Sequence, residues 1–161
     1  MKPQINKSKV ITMCLLIVIA APVAFANSQC RTIIAVQHDR LTTDGCTSPI
    51  GFCAAGTFRG NHGFRGNFFF SAISFDPIVS DALGRLAVPG VSTYTTDNGR
   101  LTISDVSVFD TTRGTFAGVG RITEGTGSFA GATGDVFTAG NVSSDGLSFT
   151  TLMNAEVCFP N

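Results

Sequence analysis

The sequence predicts an all-β fold: a closed antiparallel barrel of about eight strands, held by two disulfides. Three observations carry this. Short segments rich in β-branched and aromatic residues recur along the chain and are separated by glycine-bearing turns. No window shows a sustained apolar stripe at i, i+3, i+4 and i+7, so helix is at most local, near residues 77–86. An even set of four cysteines follows an N-terminal export signal.

The signal comes first. Lys2, Lys7 and Lys9 precede an almost unbroken apolar run from Val10 to Ala21, then Pro22 and the small-residue pattern Ala24-Phe25-Ala26. This is the three-part layout of a cleavable secretory signal, with processing expected between Ala26 and Asn27. A run of about a dozen apolar residues is too short for a membrane span, which needs about 20, and no other segment approaches that length. Lipid attachment at Cys30 is disfavoured because Gln29 stands where a small residue is needed. Residues 1–26 are therefore a signal peptide and 27–161 a single barrel domain, secreted or periplasmic.

Processing removes every lysine in the chain. Eight arginines then face eleven acids, a net charge of −3 with no basic stripe, which argues against nucleic-acid binding. A lysine-free domain also excludes Schiff-base chemistry and the phosphate-binding lysine of a P-loop. Cys30, Cys46, Cys53 and Cys158 remain. In an oxidising compartment they predict two disulfides, and the absence of a C-x-x-C spacing disfavours zinc. The favoured pairing joins Cys53 to Cys158, tying the first core strand to the last through a long loop worth roughly 4 kcal/mol in chain entropy, with Cys30 to Cys46 as the second bond. A local Cys46 to Cys53 bond is the rival. No metal and no cofactor is expected.

Strands are expected at 31–37, 54–59 and 67–75, the latter two flanking Gly60-Asn61-His62-Gly63. Others follow at 91–96 and 100–109 around Asp97-Asn98-Gly99, then at 115–124, 134–139 and 147–159. Alternation in the last segment puts Leu147, Phe149, Thr151, Met153, Ala155 and Val157 on the core face. The polar set between them faces either solvent or a wet lumen. Closure into a barrel would remove the exposed edges.

The most distinctive stretch runs from Gly120-Arg121-Ile122-Thr123-Glu124 through Gly125-Thr126-Gly127-Ser128-Phe129-Ala130-Gly131-Ala132-Thr133-Gly134. As a nucleotide fingerprint it fails, since Ala130 stands where the third glycine belongs and no helix follows. Its glycines instead suit a tight reversal between two strands, with Phe129 packed beneath.

This turn resembles that of the allene oxide cyclase and dirigent-like β-barrels, and the element Cys46-Thr47-Ser48-Pro49-Ile50-Gly51-Phe52-Cys53 is similar to one in exported bacterial proteins with an allene oxide cyclase barrel-like domain. The resemblance covers mainly residues 46–158, with Glu124 in place of the first glycine of the family's pair. It implies a barrel of six to eight strands whose lumen holds a small apolar or phenolic molecule, and a homo-oligomer as partner state. No catalytic residue of those families maps onto a position here, so activity does not follow from the likeness.

Candidates for chemistry are few. Neither His38 nor His62 lies beside a nucleophile elbow. Asp110 and Glu156 are the carboxylates that could line a lumen, with Arg121 as counter-charge; their alternative roles are a turn cap and a solvent-facing strand residue. Phe68, Phe70, Phe109 and Phe116 are the candidate ligand contacts. Three functions stay open: a lumen that binds a small molecule, an isomerase or cyclase-like catalyst with Asp110, Glu156 or Arg121 inside, and an interaction module using the Phe-rich hairpin at 64–75.

Overall fold

The computed structural model describes residues 29–78 and 84–160. The signal segment and its cleavage point at Ala26 and Asn27 lie outside the described residues. Among the described residues nine strands form: β1 (Gln29–Leu41), β2 (Cys53–Gly60), β3 (Arg65–Ala72), β4 (Asp76–Pro77), β5 (Arg85–Thr96), β6 (Gly99–Asp110), β7 (Thr115–Gly125), β8 (Thr133–Val142) and β9 (Ser148–Phe159). Every pairing is antiparallel, β1 closes onto β9, and β3 pairs with β5. Eight strands thus complete a ring in chain order, and the two-residue β4 extends the wall where β3 ends, opposite Leu86 and Ala87.

No α-helix occurs among the described residues. The local helix expected at 77–86 is replaced at both flanks by strand, because β5 runs past the end of β3 and takes Asp76 and Pro77 as its next partners; residues 79–83 lie outside the described residues. No described helix is long and apolar enough to cross a membrane.

The expected turns form. Asp97 and Asn98 link β5 to β6, and Asn61 ties its own turn to β1 by accepting from the Ile34 amide and donating to the Thr32 carbonyl. In the glycine-rich reversal between β7 and β8, Gly127 and Gly131 adopt φ of +60° and +71°, which side chains resist. Phe129 folds beneath it and contacts Phe64 and Phe159.

The barrel interior has two halves. At the end holding the β7–β8 reversal it is packed solid by Ile33, Phe58, Phe64, Leu101, Ile122, Phe129 and Val157, among others. Along β9, Phe149, Thr151, Met153, Ala155 and Val157 point inward as the alternation predicts, and their polar neighbours face solvent rather than a lumen. Leu147 is the exception: it precedes the strand and is exposed.

The disulfides correct the favoured pairing. Cys30 bonds Cys158, and Cys46 bonds Cys53. The residues before Cys53 form a strand of their own, and it is this strand, β1, that lies against β9; Cys30 and Cys158 are direct partners in its register. Cys53 opens β2, within reach of Cys46 in the preceding loop, so the rival local bond is the one made.

Candidate functional site

The half of the barrel away from the β7–β8 reversal is not filled. Its inward positions come from the later parts of β1, β3, β5, β6 and β8 and the first residues of β2, β7 and β9, and they enclose a cavity of about 50 Å³. On this measure one water molecule needs about 10–15 Å³, so the space takes a small group of a few heavy atoms rather than a fatty chain. Phe52, Phe70, Phe109 and Phe116 line it and are only partly buried, so the cavity communicates with solvent at this end. Their rings form a connected belt: Phe109 stacks on Phe116 at 4.9 Å, Phe149 meets both edge-on, and Phe52 joins Phe149 to Phe70. Two glycines make room for this belt. A Cβ at Gly90 would lie 2.3 Å from the Phe70 ring and one at Gly140 would lie 2.5 Å from the Phe116 ring.

Beneath the belt the walls turn polar. Gln37, Asp39, Ser92, Tyr94, Asp105, Ser107, Thr138 and Thr151 line the cavity, and no arginine, lysine or histidine is among the lining residues. Tyr94 donates its hydroxyl proton to Gln37 Oε1 at 3.0 Å, and Gln37 Nε2 donates to Asp39 Oδ1 at 3.1 Å. Across the lumen Ser92 Oγ donates to Asp105 Oδ2 at 2.6 Å. Asp105 Oδ1 is buried and accepts nothing.

Burial pushes both carboxyls up to about 6, against the opposing hydrogen bond from Gln37 and the charge of His38 at Asp39, and that from Ser92 at Asp105. The Tyr94 hydroxyl is held protonated by burial and by the two carboxylates. Each acid sits beside inward glycines: Asp105 registers with Gly90 on β5 and Gly120 on β7, and Asp39 with Gly56 on β2. With no side chain at those neighbours, the Phe70 ring packs over Gly90 and both acids lie against bare backbone.

The four phenylalanines named from sequence divide three to one. Phe70, Phe109 and Phe116 form the rim, and Phe68 lies deeper, against Tyr94. The three charged candidates do not reach the cavity. Asp110 caps the β6–β7 turn, accepting from the Thr112 hydroxyl and amide and from the Arg113 amide and guanidinium. These bonds, led by the Thr112 hydroxyl, pull its carboxyl down to about 2. Arg121 lies on the outer face and pairs with Asp135 at 3.2 Å. Glu156 is exposed on the outer face of β9. His38 and His62 are exposed as well.

Two features lie outside the lumen. Glu156 approaches Cys30 and Cys158, but both sulfurs are bonded to each other and offer no thiolate to a metal. The outer wall carries an apolar belt in register: Val106 faces Val119, Val119 faces Phe137, and Leu152 faces Val36. Phe137 is 58% exposed and Val119 54%, so this belt is open to solvent.

Asp39 and Asp105 are the site residues that sequence reasoning passed over. Parity was the signal for both: Asp39 follows Ile33, Ala35 and Gln37 inward, and Asp105 stands between Ile103 and Phe109 on the inward face of β6. Comparisons with protein-family models, curated proteins and solved structures return no match, so the allene oxide cyclase-like likeness rests on the glycine turn and the cysteine element.

Proposed function

We propose that this protein is an exported barrel that binds a small, largely aromatic molecule at its open end, with the ring among Phe70, Phe109 and Phe116 and a hydrogen-bond-donating head on the carboxylates below. The observation that carries this reading is the cavity itself, an aromatic rim over the buried, unpaired Oδ1 of Asp105. A phenolic hydroxyl is a suitable head. Export to a secreted or periplasmic location is supported by the two disulfides, which persist in oxidising compartments.

Native mass spectrometry of protein purified from its own host, followed by calorimetric titration with p-cresol, tests the binding. A co-purifying small molecule or saturable p-cresol binding is expected. Phe70→Ala should weaken binding about fivefold, in line with about 1 kcal/mol for an aromatic contact, while Glu156→Gln on the outer wall leaves it unchanged. No co-purifying species together with no saturation at millimolar p-cresol would remove the proposal.

A second reading, an isomerase or cyclase-like catalyst, is favoured by one observation. Two carboxyls held near 6 in an aromatic pocket can give or take a proton at neutral pH. Asp39 and Asp105 take the roles earlier assigned to Asp110 and Glu156.

Self-association, expected from the resemblance, is supported by the apolar outer belt over β6 to β9 and β1. Sedimentation at tens of micromolar should give a species larger than the monomer, and Phe137→Arg should dissociate it. A monomer at that concentration would rule self-association out.

A further inference from the structure

We infer that the head group this lumen selects is a protonated amine, so that its ligand is a small arylalkylammonium ion rather than a neutral phenol. The inference rests on the lumen being a binding site, and it follows from three independent features of that lumen.

The first is charge. Asp39 and Asp105 are both lining residues, and none of the others carries a positive charge. His38, the nearest basic side chain on β1, faces outward, where Nδ1 meets Thr150 Oγ1 at 3.3 Å. The arginines of the neighbouring turns are engaged elsewhere, Arg113 with Asp110 and Arg121 with Asp135. Two carboxylates therefore share a poorly solvated space whose lining holds no counter-charge, with only His38 outside the wall acting on Asp39, and an incompletely compensated buried charge is costly. A neutral head leaves that cost in place. An ammonium head removes part of it.

The second is the acceptor arrangement. Asp39 and Asp105 each spend one oxygen on a neutral side-chain donor, Gln37 and Ser92, and Asp105 Oδ1 has none. An ammonium group offers three N–H donors and no acceptor, whereas a hydroxyl offers one donor and brings lone pairs that these oxygens cannot use. Gly90 and Gly120, on either side of Asp105, carry no side chain that could donate to it, and the Phe70 ring packs over Gly90.

The third is the wall. Phenylalanine faces attract a cation more strongly than they do a neutral hydroxyl, which gains only a weak hydrogen bond to the ring face. Six phenylalanines line the cavity, five of them in the connected belt near its mouth, which places aromatic surface around a head group and its attached ring alike. The volume of about 50 Å³ matches an ammonium head and leaves the ring to the rim.

Calorimetric titration of the full mature domain at pH 7.5 with benzylamine, benzyl alcohol and benzoate tests this with three probes of one shape. Benzylamine is expected to bind at least tenfold tighter than benzyl alcohol, and benzoate not to bind. Asp105→Asn should cut the preference for amine over alcohol about tenfold, with circular dichroism confirming that the variant is folded. If benzyl alcohol binds as tightly as benzylamine, or if Asp105→Asn leaves the preference intact, the ammonium inference is overturned while the lumen remains a binding site. If none of the three binds, the inference and the proposed binding function fall together.

Discussion

Replacing both Cys30 and Cys158 with serine is expected to lower the unfolding free energy by about 5 kcal/mol, and replacing Cys46 and Cys53 by about 2 kcal/mol. The difference follows from the length of chain each bond closes. Cys30 and Cys158 are 128 residues apart, so their bond restricts the unfolded chain far more than the bond between Cys46 and Cys53, which are 7 apart. Domains of this size have total stabilities of about 5 to 15 kcal/mol, so loss of the long bond leaves the barrel close to unfolding, and loss of the short one does not. Urea unfolding of the two double variants, compared with the parent under non-reducing conditions, measures this. Equal losses would mean that native-state contacts of the cystines, rather than loop closure, set their contribution.

Acidification from pH 7 to pH 4 is expected to stabilise the protein. Asp39 and Asp105 have folded-state values near 6 against an ordinary value of 3.8, so between about pH 4 and 6 the folded protein binds more protons than the unfolded chain. Stability therefore falls as pH rises through that window and is level above it. Each carboxyl contributes on the order of 2 to 3 kcal/mol to the change.

Below about pH 4 the trend reverses. Asp110 and Asp145 are held below the ordinary range by hydrogen bonds, those from the Thr112 and Ser143 hydroxyls foremost, and the stability they lend is lost as they protonate. The melting temperature should pass through a maximum near pH 4. Asp39→Asn and Asp105→Asn should each raise the melting temperature at pH 7 and reduce the slope between pH 4 and 6. A profile that rises monotonically from pH 4 to 7, or variants that match the parent at both ends, would show that these carboxyls are solvated in the folded state.

The barrel was legible in the sequence because its strands announce themselves by composition and its turns by glycine. What sequence reasoning cut short is informative. The first strand reads as ending at Gln37, because Gln37 and Asp39 interrupt an apolar inward face; in the structure it continues to Leu41, and those two side chains form the wall of the cavity. Asp105 lies within a strand that sequence reasoning placed correctly, yet its parity with Leu101 and Ile103 is visible only once β6 is known to have one face inside a closed ring. Asp110 drew attention by its place after an apolar run, the same place that suits a turn cap. Cysteine pairing depended on which strand β9 meets, a long-range fact that no local pattern contains. The aromatic rim was more accessible: Phe68 and Phe70 share one face and Phe69 the other, and Phe109 faces Phe116 across the β6–β7 hairpin.

The seam between β1 and β9 has a kinetic consequence. All other neighbouring strands are joined by a hairpin or a short excursion, and their pairing closes small loops. The seam joins the first strand to the last, over twelve registered residue pairs. A chain emerging from its N-terminus can build the wall hairpin by hairpin, yet β1 keeps a bare edge until β9 arrives, the kind of edge through which chains associate wrongly. Closure is thus expected to be the slow, late step, and the cystine at its end keeps the first and last strands tethered whenever the ring opens. In refolding from urea, chains with that bond intact should close far faster than reduced chains, and should aggregate less on the way.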